Sequence, residues 1–200
     1  SVIAGNLNAG LGFVVQQYFE TYHAWKEPLY IGLLAAVTRW FGERILVMLA
    51  FQGIFGVAAA ISVTWLAWRL FGDRSRATLA GLIAAANPFL VYYDTRFLYP
   101  LSMDSLLFVL MVGTLLLAVD KPGKIWLVVG AGLLMGLTLW QRAVYLAAGG
   151  TSWLAAIALA DSGKRRQVMW AAILWWCVAG AVIAPWLIRN GRLFHRVILT

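Results

Sequence analysis

Long stretches of this chain carry no charged side chain. They run from Ile45 to Trp68, Ala77 to Tyr93, Ser105 to Val119, Ile125 to Gln141, Ala143 to Ala160, and Gln167 to Ile188. Most approach or exceed the ~17–25 residues a helix needs to cross a bilayer, and the two shortest can gain length from interfacial neighbours. Only 12% of residues are charged, about half the share of a soluble domain, and mean hydropathy is +0.81. The expected fold is therefore all-α: a polytopic membrane helical bundle with about six spans. Residues 29–200 form that bundle, and residues 1–28 an outer loop with a juxtamembrane segment. Strand-type alternation is absent, which argues against an outer-membrane barrel.

The net charge of +8 raises nucleic acid as a partner. The basic residues, however, are spread over membrane-flanking loops and form no single face, so nucleic acid is excluded as a partner. Cys177 stands alone in an apolar span, so there is no disulfide framework. The chain opens on Ser1 and shows no basic n-region with a cleavage site. It reads as part of a longer protein, cut at least at the amino end.

Three short segments separate the runs: "FGDRSR" (71–76), "DKPGK" (120–124) and "DSGKRRQ" (161–167). Each pairs Gly or Pro with Asp or Ser, which is turn chemistry. Each also holds two or three basic residues, and such clusters mark cytoplasmic loops. That puts residues 1–28, 94–103, 142 and 189–200 outside. A plain count does not decide the matter, because eight basic residues fall on each side. The clustering does, and it leaves the outer cations needing another reason. Residues 29–41 are apolar but too short to cross, and read as an interfacial helix. "RWFGER" (39–44) and "RLFGDR" (69–74) both place glycine after an apolar helical run, as at a helix stop. Asn87-Pro88 should kink or break the span that contains it. Trp25, Trp40, Trp140, Trp153 and Trp186 fall near span ends, where amphipathic rings favour the headgroup level.

No span has a charge near its centre. Gln52 and Asn87 are the main strongly polar side chains at depth. Ion-coupled transport usually needs buried ionisable groups along a path, so the pattern points away from that class. The charges gather at span ends, which suits chemistry at the membrane surface on a lipid with a charged head. Asp104 sits in the first turn of an expected helix. It is either an acid favoured by the helix dipole or a carboxylate acting as base or substrate ligand. Arg142 is the single charge between two apolar runs. It either snorkels to the interface or meets a phosphate, which the guanidinium fork suits. Arg189, in "APWLIRNG" (184–191), follows Pro185, which should bend the last span. Glu20, Asp94 and Arg96 read as solvated loop charges. His23 has no second metal ligand at a useful spacing, and neither a P-loop nor a GxSxG motif occurs. The knot "YHAWKEPLY" (22–30) sets Lys26 and Glu27 beside Pro28 at the mouth of the first apolar stretch.

Read in order, "VIAGNLNAGLGF" (2–13), "WKEPLY" (25–30), "RWFGE" (39–43), "WRLFGDR" (68–74), "NPFLVYYDTRFLYPLSMDSLLF" (87–108) and "PWLIRN" (185–190) form a pattern. It resembles the membrane glycosyltransferases of the GT-C superfold. The branch is that of the dolichyl-phosphate-mannose protein mannosyltransferases and the lipid A aminoarabinose transferase. The resemblance covers nearly the whole chain. It implies that Asp104 takes the place of the family's second acidic residue. It implies a principal catalytic aspartate upstream of Ser1, and further spans or a periplasmic domain beyond Thr200. Lys26 lies beside the position of a lysine that contacts the lipid phosphate, with Glu27 in between and directly before the proline. Arg142 resembles a basic residue that follows the fifth span.

The expected function is transfer of a sugar from a polyprenyl-phosphate donor to a glycan, lipid or protein acceptor at the outer face. Asp104 is the catalytic candidate, and Lys26, Glu27, Arg142 and Arg189 are the substrate-binding candidates. The scheme requires no metal or other cofactor and leaves room for a divalent ion. The expected location is the inner membrane, with membrane lipids as partners and the site on the periplasmic side. The rival reading is a truncated or degenerate, non-catalytic member that binds polyprenyl lipid or scaffolds an assembly.

Overall fold

The computed structural model describes residues 2–17, 20–23 and 27–196. The chain is nearly all helical and divides into two compact units, Ser1–Val109 and Leu110–Thr200.

In the first unit, α1 (Val2–Asn8) leads into a two-stranded antiparallel hairpin, β1 (Val14–Gln17) and β2 (Glu20–His23), with Val14 opposite His23. The segment expected as an outer loop thus has structure of its own. Asn8 ties α1 to α2 (Pro28–Phe41), donating to the Ala35 carbonyl at 2.9 Å and to Thr38 Oγ1 at 2.9 Å. Pro28 opens α2 at a position whose N–H would be unsatisfied anyway. The helix buries Tyr30, Ile31, Leu34, Ala35 and Thr38 on one face. Gly42 ends it at φ 75°, with its N–H on the Thr38 carbonyl. Gly72 ends α3 (Ile45–Phe71) in the same way at φ 66°, with its N–H on the Trp68 carbonyl. Both glycines therefore end their helices at positive φ, as their sequence context predicts, Gly72 in the left-handed helical region and Gly42, with ψ 175°, outside it.

Asp73 then caps α4 (Arg74–Ala85), accepting from the Arg76 N–H at 2.8 Å. α4 folds back on α3 so closely that a Cβ on Gly81 would overlap the Thr64 side chain. The expected 77–93 span breaks at Asn87-Pro88. Proline cannot donate into the helix, and Asn87 caps a new helix, α5 (Pro88–Arg96), by accepting from Phe89 N–H at 3.0 Å. α6 (Leu101–Asp120) carries the chain into the second unit.

There, "DKPGK" is the turn into α7 (Ile125–Gln141). α8 (Tyr145–Leu159) and α9 (Ser162–Phe194) follow. "DSGKRRQ" is not a loop as expected. Only Ala160 and Asp161 separate the helices, because Lys164, Arg165 and Arg166 favour helix and the Asp161 carbonyl accepts from the Lys164 and Arg165 N–H groups. α7 and α9 pack in parallel. A Cβ on Gly132 would lie 2.9 Å from the Trp175 carbonyl, one on Gly136 would overlap Val182, and Trp140 reaches the Val182 carbonyl at 2.9 Å. Small residues four apart let two apolar helices approach where the hydrophobic effect cannot drive them together. α9 runs on through Pro185 to Phe194.

Three helices, α3, α6 and α9, are long and apolar enough to cross a membrane, while α2, α7 and α8 are shorter and apolar. Large apolar side chains on their outer faces, among them Ile54, Val57, Ile61 and Trp126, are more than half exposed. That is the composition of a surface in contact with lipid. The alternation of the basic turns sets a test of sidedness. In a Cys177→Ala background, Thr95→Cys is expected to react with a membrane-impermeant thiol reagent added outside. Ser75→Cys and Ser162→Cys, both at exposed positions, are expected to stay unlabelled until the membrane is opened. Outside labelling of the latter two would invert the topology.

Candidate functional site

Polar side chains in the first unit converge at one end of its helices. Gln52, 1% exposed, is the node. Its Oε1 accepts from the Tyr30 hydroxyl at 2.5 Å and from the Tyr99 N–H at 3.2 Å. Its Nε2 donates to Asp94 Oδ1 at 3.2 Å and to the Phe97 and Tyr93 carbonyls at 3.0 and 3.3 Å. Asp94 Oδ2 accepts from the Ser102 hydroxyl. One amide thus ties α2, α3, α5 and the 97–100 connector together, and Asp94 joins them to the start of α6. Asp94 is 8% exposed, which corrects its reading as a solvated loop charge. Its partners lie 42 and 8 residues away, and a buried carboxylate persists only where such donors replace water. Arg96 is exposed in the last turn of α5, as expected.

Gly56 faces this cluster, and a Cβ there would lie 2.8 Å from Asp94 Oδ2. Burial, together with the Asp94 and Glu27 carboxylates, holds the Tyr30 phenol well above the ordinary tyrosine range. Tyr30 therefore stays a neutral donor. A cluster of rings surrounds Tyr93, with Phe89, Tyr92, Phe97 and Tyr99 at 4.7–5.7 Å between centroids. Gln52 and Gly72 are 20 residues apart on α3, a rise of about 30 Å. The polar cluster and the basic turn are thus separated by roughly one hydrocarbon thickness.

Asp104 lies in the first turn of α6 and is 4% exposed, its N–H on the Pro100 carbonyl at 2.8 Å. It continues the buried stripe of Leu107, Met111, Leu115 and Ala118. Glu27 precedes α2 in a left-handed conformation, φ 44°, and makes no side-chain cap. Lys26 lies outside the described residues.

The other two candidates belong to the second unit. Arg142 closes α7, its N–H on the Thr138 carbonyl at 2.8 Å, and is half-buried. Arg189 lies over the Trp186 ring, 4.6 Å from its centroid, and donates to Asn190 Oδ1 at 2.8 Å. Trp186 in turn lies 6.3 Å from Trp140. Because α7 and α9 run parallel, Arg142 and Arg189 lie at the same end of that pair. Gln141 and Asn190 are fully buried beside them in sequence. A helix C-terminus favours a cation, which by itself accounts for Arg142 at the α7 cap. The Trp186 ring and Asn190 Oδ1 together fix the Arg189 guanidinium.

Among the described residues, no group of three or more His, Cys, Asp or Glu is placed to hold a metal ion. Sequence reasoning missed Tyr30 as a donor to Gln52 and Ser102 as a donor to Asp94. Gln52, the one strongly polar residue in its span, was the visible signal. Comparison with family models, with curated proteins and with solved structures gives no match.

Proposed function

We propose that the chain is the membrane part of a glycosyltransferase that moves a sugar from a polyprenyl-phosphate donor to an acceptor hydroxyl at the outer face. The observation that carries this reading is the burial of Asp104. A helix dipole stabilises an exposed acid by ~0.3–1 kcal/mol, whereas taking a carboxylate out of water costs several. An acid kept there at that cost suits chemistry better than capping. The order of motifs that resembles the GT-C enzymes supports the same class. In this reading α3, α4 with α5, α6, α7, α8 and α9 make six crossings of the inner membrane, with α2 at the interface.

The acceptor oxygen attacks the anomeric carbon as the bond to the lipid phosphate breaks. The hydroxyl proton passes to a carboxylate, with Asp104 as base or as ligand of the acceptor. The leaving phosphate gains charge, which cations at the outer face offset, and fixed electrostatics help this part of such a reaction most. A carboxylate 4% exposed meets its substrate only after a neighbouring segment moves, so turnover includes an opening step. Incubation of the full-length protein in membranes with a panel of labelled polyprenyl-phosphate sugars tests the proposal. Transfer from one donor supports it, and donor binding without transfer from any of them would favour a non-catalytic lipid binder.

The cations give a separate expectation. A charge-assisted contact contributes ~1.5–3 kcal/mol, so Arg142→Ala or Lys26→Ala should weaken polyprenyl-phosphate binding roughly ten- to a hundredfold. Arg142→Lys should recover only part of it, because an ammonium lacks the two-pronged fork. Binding of the uncharged polyprenol should not change. Unaltered phosphate affinity in both alanine variants would leave these residues as interfacial anchors.

A further inference from the structure

Between α3 and α4, next to the Gly72-Asp73 turn, lies a groove of about 390 Å³. Ile61, Trp65 and Trp68 of α3 form one wall, and Arg74, Ala77 and Thr78 of α4 the other. The floor is apolar and the end at the turn is cationic. Residues 69–76 hold Arg69, Arg74 and Arg76, all exposed, against the single acid Asp73. Asp73 is already occupied in capping α4. The surface around the groove is apolar too, with Val57, Ile61, Leu79 and Leu82 more than half exposed. α3 is long and apolar enough to cross a membrane. The groove therefore opens towards hydrocarbon along its length, and the arginines stand where that helix ends.

We propose that this groove binds one anionic phospholipid, with an acyl chain between Ile61, Trp65 and Ala77 and the phosphodiester against Arg74. Charge complementarity selects the headgroup. A zwitterionic lipid brings a second cation to a turn that already has three, whereas a phosphodiester with net negative charge does not. Arg69 and Arg76 add to the attraction without lining the groove. The inference rests on the membrane character of α3 and not on the transferase reading.

Native mass spectrometry of the chain in detergent, titrated with dioleoyl phosphatidylglycerol or phosphatidylcholine, tests it. The unaltered protein should retain one phosphatidylglycerol in preference to phosphatidylcholine. Arg74→Gln should weaken phosphatidylglycerol binding about fivefold, since a cation near a charged lipid surface is worth ~1 kcal/mol. Thr78→Trp, which fills the groove from an exposed position and keeps every charge, should weaken it at least as much. Arg74→Lys should keep most of the binding and shows that the fold tolerates change at that position. Lys121→Gln with Lys124→Gln, on another basic turn, should leave it unchanged. Equal retention of the two lipids by the unaltered protein would overturn the proposal. So would loss in only one of Arg74→Gln and Thr78→Trp, because a charge-only or chain-only contact is not this site.

Discussion

Asp104→Asn in the full-length protein is expected to lower sugar transfer at least a hundredfold while leaving the amount of folded protein in the membrane unchanged. A positioned carboxylate that moves a proton contributes roughly 10²–10⁴ to a rate, and asparagine matches aspartate in shape but cannot take the proton. The competing role for Asp104 is electrostatic support of the α6 N-terminus. Losing that support would cost at most ~2 kcal/mol, felt as stability, and would not reach turnover by two orders of magnitude in protein that remains folded. The two roles therefore separate on a pair of measurements, initial rate and thermal midpoint. A drop in midpoint with an unchanged rate per folded molecule would remove Asp104 from the chemistry. Asp104→Glu gives a further contrast. It restores the acid but adds a methylene to a position 4% exposed, so partial activity at reduced stability is expected.

What could be read from the sequence was local. The glycine stops at Gly42 and Gly72, the cap at Asp73, the "DKPGK" turn and the break at Asn87-Pro88 each depend on a few adjacent residues, and each forms as their chemistry requires. The first-turn position of Asp104 followed from the same kind of signal. The burial of Asp94 did not. "YYDTRF" looks like an interfacial loop, and nothing nearby announces that Gln52 of α3 will reach it. The parallel pairing of α7 and α9 was also hidden, because Gly132 and Gly136 acquire meaning only when Val178 and Val182 are set against them. The pairing of β1 with β2 is held by the backbone, and the sequence of the two strands has no strict apolar–polar alternation to announce it. The length of α9 was misjudged for a different reason. A Gly-containing basic segment was read as a turn, whereas three consecutive cations on helix formers simply lengthen the helix at its solvent end.

Gln52→Leu is expected to be the most destabilising single change in the first unit. Leucine fills nearly the same space, so the loss is almost wholly polar. The Tyr30 hydroxyl and the Tyr99 N–H lose their acceptor, and Asp94 Oδ1 and the Tyr93 and Phe97 carbonyls lose a donor. Hydrogen bonds between membrane helices average ~0.6 kcal/mol each, since the unfolded chain finds partners too. Five of them amount to about 3 kcal/mol. In a protein of this size that corresponds to a midpoint lower by roughly 6–12 °C, to be read by thermal unfolding in detergent. Gln52→Glu separates the two halves of the node. It keeps an oxygen for Tyr30 and Tyr99 but replaces the amide donor with a second carboxyl facing Asp94. No donor then stands between position 52 and Asp94 Oδ1, and the Tyr93 and Phe97 carbonyls lose theirs as well. Gln52→Glu should therefore lower the midpoint even though it keeps the acceptor for Tyr30 and Tyr99. A midpoint for Gln52→Glu equal to that of the unaltered protein would mean that Gln52 and Asp94 do not meet in the membrane.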